Sequence, residues 1–374
     1  MKIMHIADLH LDSAFSGFEK SKAEEKRAEL RACFVRAMNI AKEQNVELVL
    51  IAGDLFDTPF CSLATRKVVF DAIAGVGCPV IISPGNHDYY NKNGTYAEEN
   101  LPENAYVFTS NEIGRFDFDD LHISVSGYAF TSDRYEENPL AFDVPISKDN
   151  VNILCAHADL GAPLSKYAPL NSNAVAVHGF TYAALGHVHI APEPTKIGKT
   201  TIAYSGFAQG RSFDELGEGG AYIVDIDLEE KTASLSRVLL SKTIYRIEKI
   251  DISTISSDDE VTKKISDVID DRGYGDNVAL RVRLVGSIPS DYVINTQKIA
   301  GELSNSHLAL LQVKNESVAN LDLEHLKTDM TVKGEVYRKL LPLLESCDEE
   351  ERQKASLALK FALAALDKRE FFVD

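Results

Sequence analysis

Residues 46–57 read Val-Glu-Leu-Val-Leu-Ile-Ala-Gly-Asp-Leu-Phe-Asp. The stretch 46–52 is an apolar run, and Gly53-Asp54 follows it without a spacer. A short apolar run lacking clear polar alternation marks a strand buried on both faces, as in a parallel sheet covered on each side. Asp54 therefore stands where such a strand stops. The flanks repeat the theme. Upstream, residues 22–43 space Leu30, Phe34, Ala37, Met38 and Ala41 at helical intervals, and residues 2–7 form a short apolar strand. Downstream, residues 64–74 read as a helix and 79–83 as a third buried strand. This βαβαβ order predicts a parallel sheet with right-handed crossovers.

Further along, helical pattern is scarce and strands follow at 106–109, 121–127, 151–156, 182–186, 201–204, 221–227 and 234–240. Two facing sheets with helices on their outer faces accommodate them. Near residue 242 the character changes to a mixture of helix (258–271, 296–304) and strand (277–285, 308–313), which predicts a compact α+β module. The end of the chain, with amphipathic stretches at 332–346 and 349–366, predicts helices. Three regions result: 1–241, a capping region 242–318, and a helical tail 319–374.

Five metal-type motifs each close an apolar run: Asp8-Leu-His10, Gly53-Asp54, Gly85-Asn86-His87-Asp88, Ala156-His157 and Gly186-His187-Val-His189. In open α/β sheets, ligands gather beyond the carboxyl ends of strands, so these side chains are expected to meet in one cleft. Carboxylate, imidazole and amide oxygen suit manganese, iron or zinc rather than a thiolate-bound metal. A carboxylate on the central strand bridges two ions most naturally. Asp54 takes that place, with Asp8, His10 and His189 on one ion and Asn86, His157 and His187 on the other. Two cations about 3.5–4 Å apart clamp the attacking and leaving oxygens of a phosphoryl transfer. His87 diverges from Asn86 and is better placed as proton donor to the leaving alkoxide or as an electrophile for the phosphate, with Asp88 expected to orient its ring. The glycines at 53, 85 and 186 are expected to permit tight turns.

Taken singly these motifs are weak, since an Asp-x-His or a Gly-Asn-His-Asp is more often a plain turn. Their joint order at strand ends carries the reading. His5 and His178 fall outside the motifs and read as structural or solvated. Ser205 and Ser212 lack His/Asp partners for a serine hydrolase, and no Gly-x-x-x-x-Gly-Lys-Ser/Thr occurs. The five cysteines are scattered without Cys-x-x-Cys spacing, which suggests reduced thiols. No run of about 18 apolar residues predicts a membrane span, and the start of the chain lacks the apolar stretch of a secretory signal, so a cytoplasmic location is expected. The formal net charge of −18 argues against broad adhesion to nucleic acid. It does not exclude a nucleic-acid substrate, because two divalent cations invert the local field.

The order Asp-x-His, Gly-Asp, Gly-Asn-His-Asp, His, Gly-His-x-His resembles the calcineurin-like metallophosphoesterases over roughly residues 1–240. The resemblance implies a four-layer α/β/β/α sandwich. Within that superfamily IADLHLDSAF, IAGDLFDTP, PGNHDYY and ALGHVH are similar to the DNA double-strand-break repair exonuclease branch of SbcD and YhaO type. That likeness implies manganese-dependent 3′→5′ exonuclease and single-strand endonuclease activity on DNA, a capping domain, and a coiled-coil ATPase partner docking at the tail. It also implies a homodimer. The stretch from Tyr204 to Glu215 shares the likeness, and Arg211 is a candidate phosphate contact, with a salt bridge to Asp214 or Glu215 as the alternative. Tyr89 is a candidate for stacking on a base, with core packing as the alternative. Two other functions stay open: hydrolysis of a smaller phosphate ester, and a non-catalytic scaffold for the ATPase.

Overall fold

The computed structural model of the chain describes residues 1–98, 100–141, 144–289, 292–319 and 323–366. Of the expected tail, residues 320–322 and 367–374 lie outside the described residues. The chain divides into two compact units, Met1–Tyr245 and Arg246–Asp374.

The first unit opens with β1 (Lys2–Ile6), α1 (Lys20–Glu43), β2 (Leu48–Ile51), α2 (Leu63–Val76), β3 (Val80–Ile82) and β4 (Ala105–Val107). These four strands pair in parallel. At the start of α2 the Ser62 hydroxyl accepts from the Thr65 N–H, and Gly77 at φ 85° ends the helix in the left-handed conformation that glycine adopts without a Cβ penalty. Then come β5 (Gly114–Phe118), β6 (Ile123–Gly127), β7 (Val151–His157), the two-residue strands β8 (Asp159–Leu160) and β9 (Pro169–Leu170), α3 (Ser172–Val177), β10 (Tyr182–Gly186), β11 (Thr195–Ile197) and β12 (Thr200–Tyr204). Last are β13 (Gly220–Asp227) and β14 (Thr232–Leu239). One six-stranded sheet runs β14-β13-β1-β2-β3-β4, the other β11-β12-β10-β7-β6-β5. In each, four parallel strands carry antiparallel additions. β13 lies against β1 and β14 against β13; β11 lies against β12 and β5 against β6.

Strand side chains alternate between faces, and the core divides accordingly. Met4, Ile6, Val49 and Ile51 pack under α1 and α2 with Leu30, Phe34 and Met38. Ile3, Leu48 and Leu50 face Ile153, Cys155, Tyr182 and Ala184 of the other sheet. Leu154, Ala156, Ala183 and Leu185 face outward from that second sheet towards Val175 of α3 and Phe180. The architecture is thus helix, sheet, sheet, helix. Among the described residues the second outer layer holds one short helix, and its cover is completed by the loop residues Tyr128 and Phe130 and by Leu170 of β9. β5, an edge strand absent from the sequence reading, alternates Phe116 and Phe118 against the inter-sheet core with Arg115 and Asp117 paired outside.

The second unit is built on a three-stranded sheet of β15 (Ile244–Asp251, entering the unit at Arg246), β16 (Val278–Val285) and, after β17 (Ser287–Ile288), β18 (Leu310–Asn315). Helix α4 (Asp258–Arg272) lays Val261, Ile265 and Ile269 with Leu280, Val282 and Leu284 in one core. Ser257 and Gly273 cap its two ends. Helices α5 (Thr296–Glu302), α6 (Leu323–Thr328), α7 (Val332–Leu344) and α8 (Glu349–Leu366) follow, and Leu326, Tyr337, Leu359 and Leu363 of the last three pack together.

Candidate metal centre

Five parallel strands end on the site. Asp8 and His10 follow β1, Asp54 follows β2, Asn86 and His87 follow β3, His157 closes β7, and His187 and His189 follow β10. The turns that present them are held against ordinary backbone preference. Asp8, His10, Asp54 and His187 have φ of 51°, 46°, 49° and 106°, a region that non-glycine residues rarely adopt and that costs roughly 1–3 kcal/mol at each. Pairing past the strand ends sustains it: the Asp8, His10 and Leu11 N–H groups donate to the carbonyls of Gly53, Asp54 and Leu55 at 3.2, 2.9 and 2.9 Å. Gly53 has the expected left-handed turn, φ 90°. Gly85 and Gly186 do not; they serve close approach, since a Cβ at 85 would strike Asp54 and one at 186 the Ala52 carbonyl.

The side chains converge closely. His10 Nε2 lies 3.1 Å from His189 Nε2 and 3.6 Å from Asp54 Oδ2. His157 Nε2 lies 3.4 Å from Asp54 Oδ2 and 2.9 Å from Asn86 Oδ1. Asp8, His10 and His189 form one group of donors that could hold an ion; Asp8, Asp54 and His157 a second; His10, Asp54 and His87 a third. The His187 ring lies 5.1 Å from that of His157, with Tyr167 4.7 Å away on it.

The other ring nitrogens decide what these atoms do. His157 Nδ1 meets the Ala52 carbonyl at 3.1 Å, His10 Nδ1 the Asp57 carboxylate at 3.2 Å, and His189 Nδ1 the Glu215 carboxylate at 2.8 Å. These oxygens only accept, so each Nδ1 carries the proton and each Nε2 points a lone pair inward. Lone pairs of His10 and His189 then face each other, and that of His157 faces the Asn86 amide, whose oxygen is a second acceptor as placed. Such apposition repels unless a cation or a shared proton lies between. Donors about 2.1 Å from one octahedral ion are about 3.0 Å apart, close to the spacings seen.

Charge tells the same story. Asp8 and Asp54 are 1% and 2% exposed, and among the described residues neither pairs with Lys or Arg. Burial pushes Asp8 up to about 6, and burial together with Asp88 pushes Asp54 up to about 7. Burial likewise pulls His10 down to about 3 and His187 to about 4, and lowers His157. Asp8, Asp54, His10, His157 and His187 are thus driven towards neutrality, the condition a divalent cation reverses; at His189 burial works the same way, but the hydrogen bond to Glu215 outweighs it and raises the imidazole pKa. The residues present therefore fit metal ions.

With that geometry, the family comparison is decisive. The family model described as calcineurin-like phosphoesterase matches residues 1–191. The chain belongs to the calcineurin-like phosphoesterases. This phosphoesterase is 26% identical over 303 residues to the uncharacterized metallophosphoesterase YhaO of Bacillus subtilis, an alignment covering 77% of this chain and 72% of that one. Among solved structures it is similar to a dimetal phosphatase from Danio rerio (TM-score 0.39, 10% identity, 60% of this chain and 92% of that one). It is also similar to Vps29 of Entamoeba histolytica complexed with zinc (TM-score 0.31, 10% identity, 64% and 99%).

Around the phosphoesterase centre, some expected roles change. Asp88 does not orient His87. It is fully buried, and its carboxylate accepts from the N–H groups of Asp54, Leu55, Phe56 and Gly85 and from the Tyr96 hydroxyl. Adjacent side chains diverge, so Asp88 clamps the Asp54 turn from beneath. His87, 46% exposed, faces Asp57, its Nδ1 3.4 Å from the Asp57 carbonyl. Tyr89 packs on the outer core of the second sheet. Arg211 pairs with Glu215 at 2.6 Å and reaches Asp57 at 3.4 Å, rather than bonding Asp214. His5 is buried between the sheets, bonded to the Tyr182 hydroxyl and the Leu185 carbonyl, and His178 meets the Leu140 carbonyl. Asp57 and Glu215 are the residues that motif reading missed. Asp57 ends the opening stretch, and Glu215 sits four residues past Arg211; only the fold shows that each reaches a histidine.

Proposed function

We propose that the chain is a phosphodiesterase that uses two divalent cations, and that its substrate is DNA, cut as a 3′→5′ exonuclease and single-strand endonuclease. The observation that carries the cation part is the inward aim of three Nε2 lone pairs onto two buried carboxylates without a Lys or Arg partner. In this reading Asp8, His10 and His189 hold one cation, Asn86, His157 and His187 the other, and Asp54 both, with manganese the ion of choice and iron or zinc as substitutes. When bound, the cations polarise the phosphoryl group and lower the pKa of water towards about 7. The protein's own groups do the rest. Asp57, Ala52 and Glu215 keep the ligand imidazoles in one tautomer. Asp88 fixes the turn that presents Asp54. His87, exposed and turned edge-on to His10 with 4.6 Å between rings, would give its Nε2 proton to the departing alkoxide from the doubly protonated ring, the Nδ1–H remaining towards Asp57.

The DNA part is supported by the motif likeness to repair exonucleases. DNA ends, a coiled-coil ATPase and a second copy of the chain are the partners this reading names, with Met330, Val332 and Leu357 exposed on the helical tail in its favour. One observation favours a smaller phosphate ester instead: the open pocket of about 490 Å³ beside His189 is lined by the carboxylates of Asp57, Asp214 and Glu215 against the single guanidinium of Arg211, a balance that suits a long polyanion poorly. Turnover of single-stranded DNA, DNA ends and bis-p-nitrophenyl phosphate with and without manganese separates the two. We expect manganese-dependent release of nucleotides from DNA, lost in Asp54→Ala. Turnover of the small ester with DNA untouched would move the assignment to the second reading, and full activity in Asp54→Ala would remove the mechanism.

A further inference from the structure

We infer that Glu215 is a positioning residue: its carboxylate holds His189 in the tautomer that aims Nε2 at the cation shared with His10, while Arg211 offsets the cost of burying that carboxylate. The inference rests on the cation-binding reading above and adds a residue outside the five motifs.

The geometry is specific. Glu215 is 4% exposed, so its charge is desolvated and needs partners. Oε1 accepts from His189 Nδ1 at 2.8 Å and from Arg211 Nε and Nη2 at 3.0 and 2.6 Å. Oε2 accepts from the Arg211 backbone N–H at 2.8 Å. Arg211 Nη1 then reaches the Asp57 carboxylate at 3.4 Å and the Ser13 hydroxyl at 3.3 Å. Asp57 holds His10 Nδ1, and Ser13 Oγ donates to the His10 carbonyl. One guanidinium thus ties together the two carboxylates that set the two imidazoles, and those imidazoles meet at 3.1 Å. A purely structural Arg–Glu pair needs no third partner at Oε1. A histidine held only by packing needs no carboxylate behind it. Partners behind a metal-binding imidazole fix its ring and tautomer, and losing one typically costs ten- to a hundredfold in metal affinity.

Two measurements on the full chain test this. The first needs no metal: the ring ¹⁵N shifts of His189 in metal-free protein, at a pH where the imidazole is neutral. Wild type is expected to show protonated Nδ1, and Glu215→Ala a shift towards protonated Nε2. Protonated Nε2 in wild type overturns the inference without any variant, and so does an unchanged tautomer in folded Glu215→Ala. The second is calorimetric titration with manganese. Glu215→Ala is expected to bind one cation about ten- to a hundredfold more weakly and the other as wild type does, with Glu215→Gln, which keeps an acceptor oxygen, in between. Wild-type affinity for both cations in Glu215→Ala overturns the inference alone. A wild-type chain that binds no manganese, iron or zinc overturns the cation reading instead, and the ¹⁵N result then still judges the role of Glu215.

Discussion

His87 and Asp54 stand 33 positions apart, joined by the His87 N–H to the Asp54 carboxylate, and removing each side chain has a different expected consequence. Asp54→Ala takes away the carboxylate common to two of the donor groups, so cation binding and turnover should vanish together. His87→Ala removes an exposed imidazole that the mechanism uses only as a proton donor. Manganese affinity should stay near wild type in titration calorimetry while kcat falls about 10²–10⁴-fold. Loss of cation binding in His87→Ala would instead make it a ligand, as its place in the third donor group allows. His5 makes a different test. Burial holds its pKa at about 3, against an ordinary 6.5 in the unfolded chain. Between those values the unfolded chain takes up a proton that the fold refuses. Acidification below pH 6.5 therefore drains stability, by up to about 1.4 kcal/mol per pH unit. His5→Gln cannot take up that proton, so its melting temperature should fall less steeply between pH 7 and 5; parallel slopes for the two proteins would count against this account.

At the level of strands and turns, the site depends on how closely the two sheets approach. A Cβ at Gly186 would strike the Ala52 carbonyl and crowd Ala7, so Gly186→Ala must move β10 away from β1 and β2. Denaturant unfolding should show a loss of about 1–3 kcal/mol, with weaker cation binding because His187 and His189 move with the strand. Asp88→Ala leaves four backbone N–H groups and the Tyr96 hydroxyl without their acceptor, and a loss of roughly 1–3 kcal/mol per group left unsatisfied is expected. If Asp88 served only to aim His87, stability would instead be nearly unchanged. Much of this level was legible in sequence. Apolar runs located β1, β2, β3, β7 and β10, because a doubly buried strand has no polar face to blur it, and the motifs marked where each stops. Less legible were features set by partners distant in sequence. Asp88 reads as the neighbour of His87, yet its donors come from the Asp54 turn. Glu215 reads as a helix-like partner of Arg211, and nothing local says that it also faces His189. The short edge strand β5 escaped because its outward residues are charged.

For the molecule as a whole, the two compact units are expected to unfold as separable heat-absorption transitions, and the donor groups found among the described residues lie in Met1–Tyr245. Manganese at a thousandfold excess over its Kd should stabilise that unit by about 4 kcal/mol and leave the other transition in place. Scanning calorimetry with and without chelator checks it, and a shift of both transitions together would mean that the units melt as one. The order of strands in the first sheet has a consequence for synthesis. β1 lies in the middle of that sheet, and its antiparallel neighbour β13 arrives so late that the first amino group bonds a carbonyl 225 positions downstream. At translation speeds of about 5–20 residues per second, one flank of the first strand leaves the ribosome roughly 11–45 s before its mate. During that interval the nascent chain carries an open, apolar β edge, which makes this protein a natural client for whatever shields the exit tunnel.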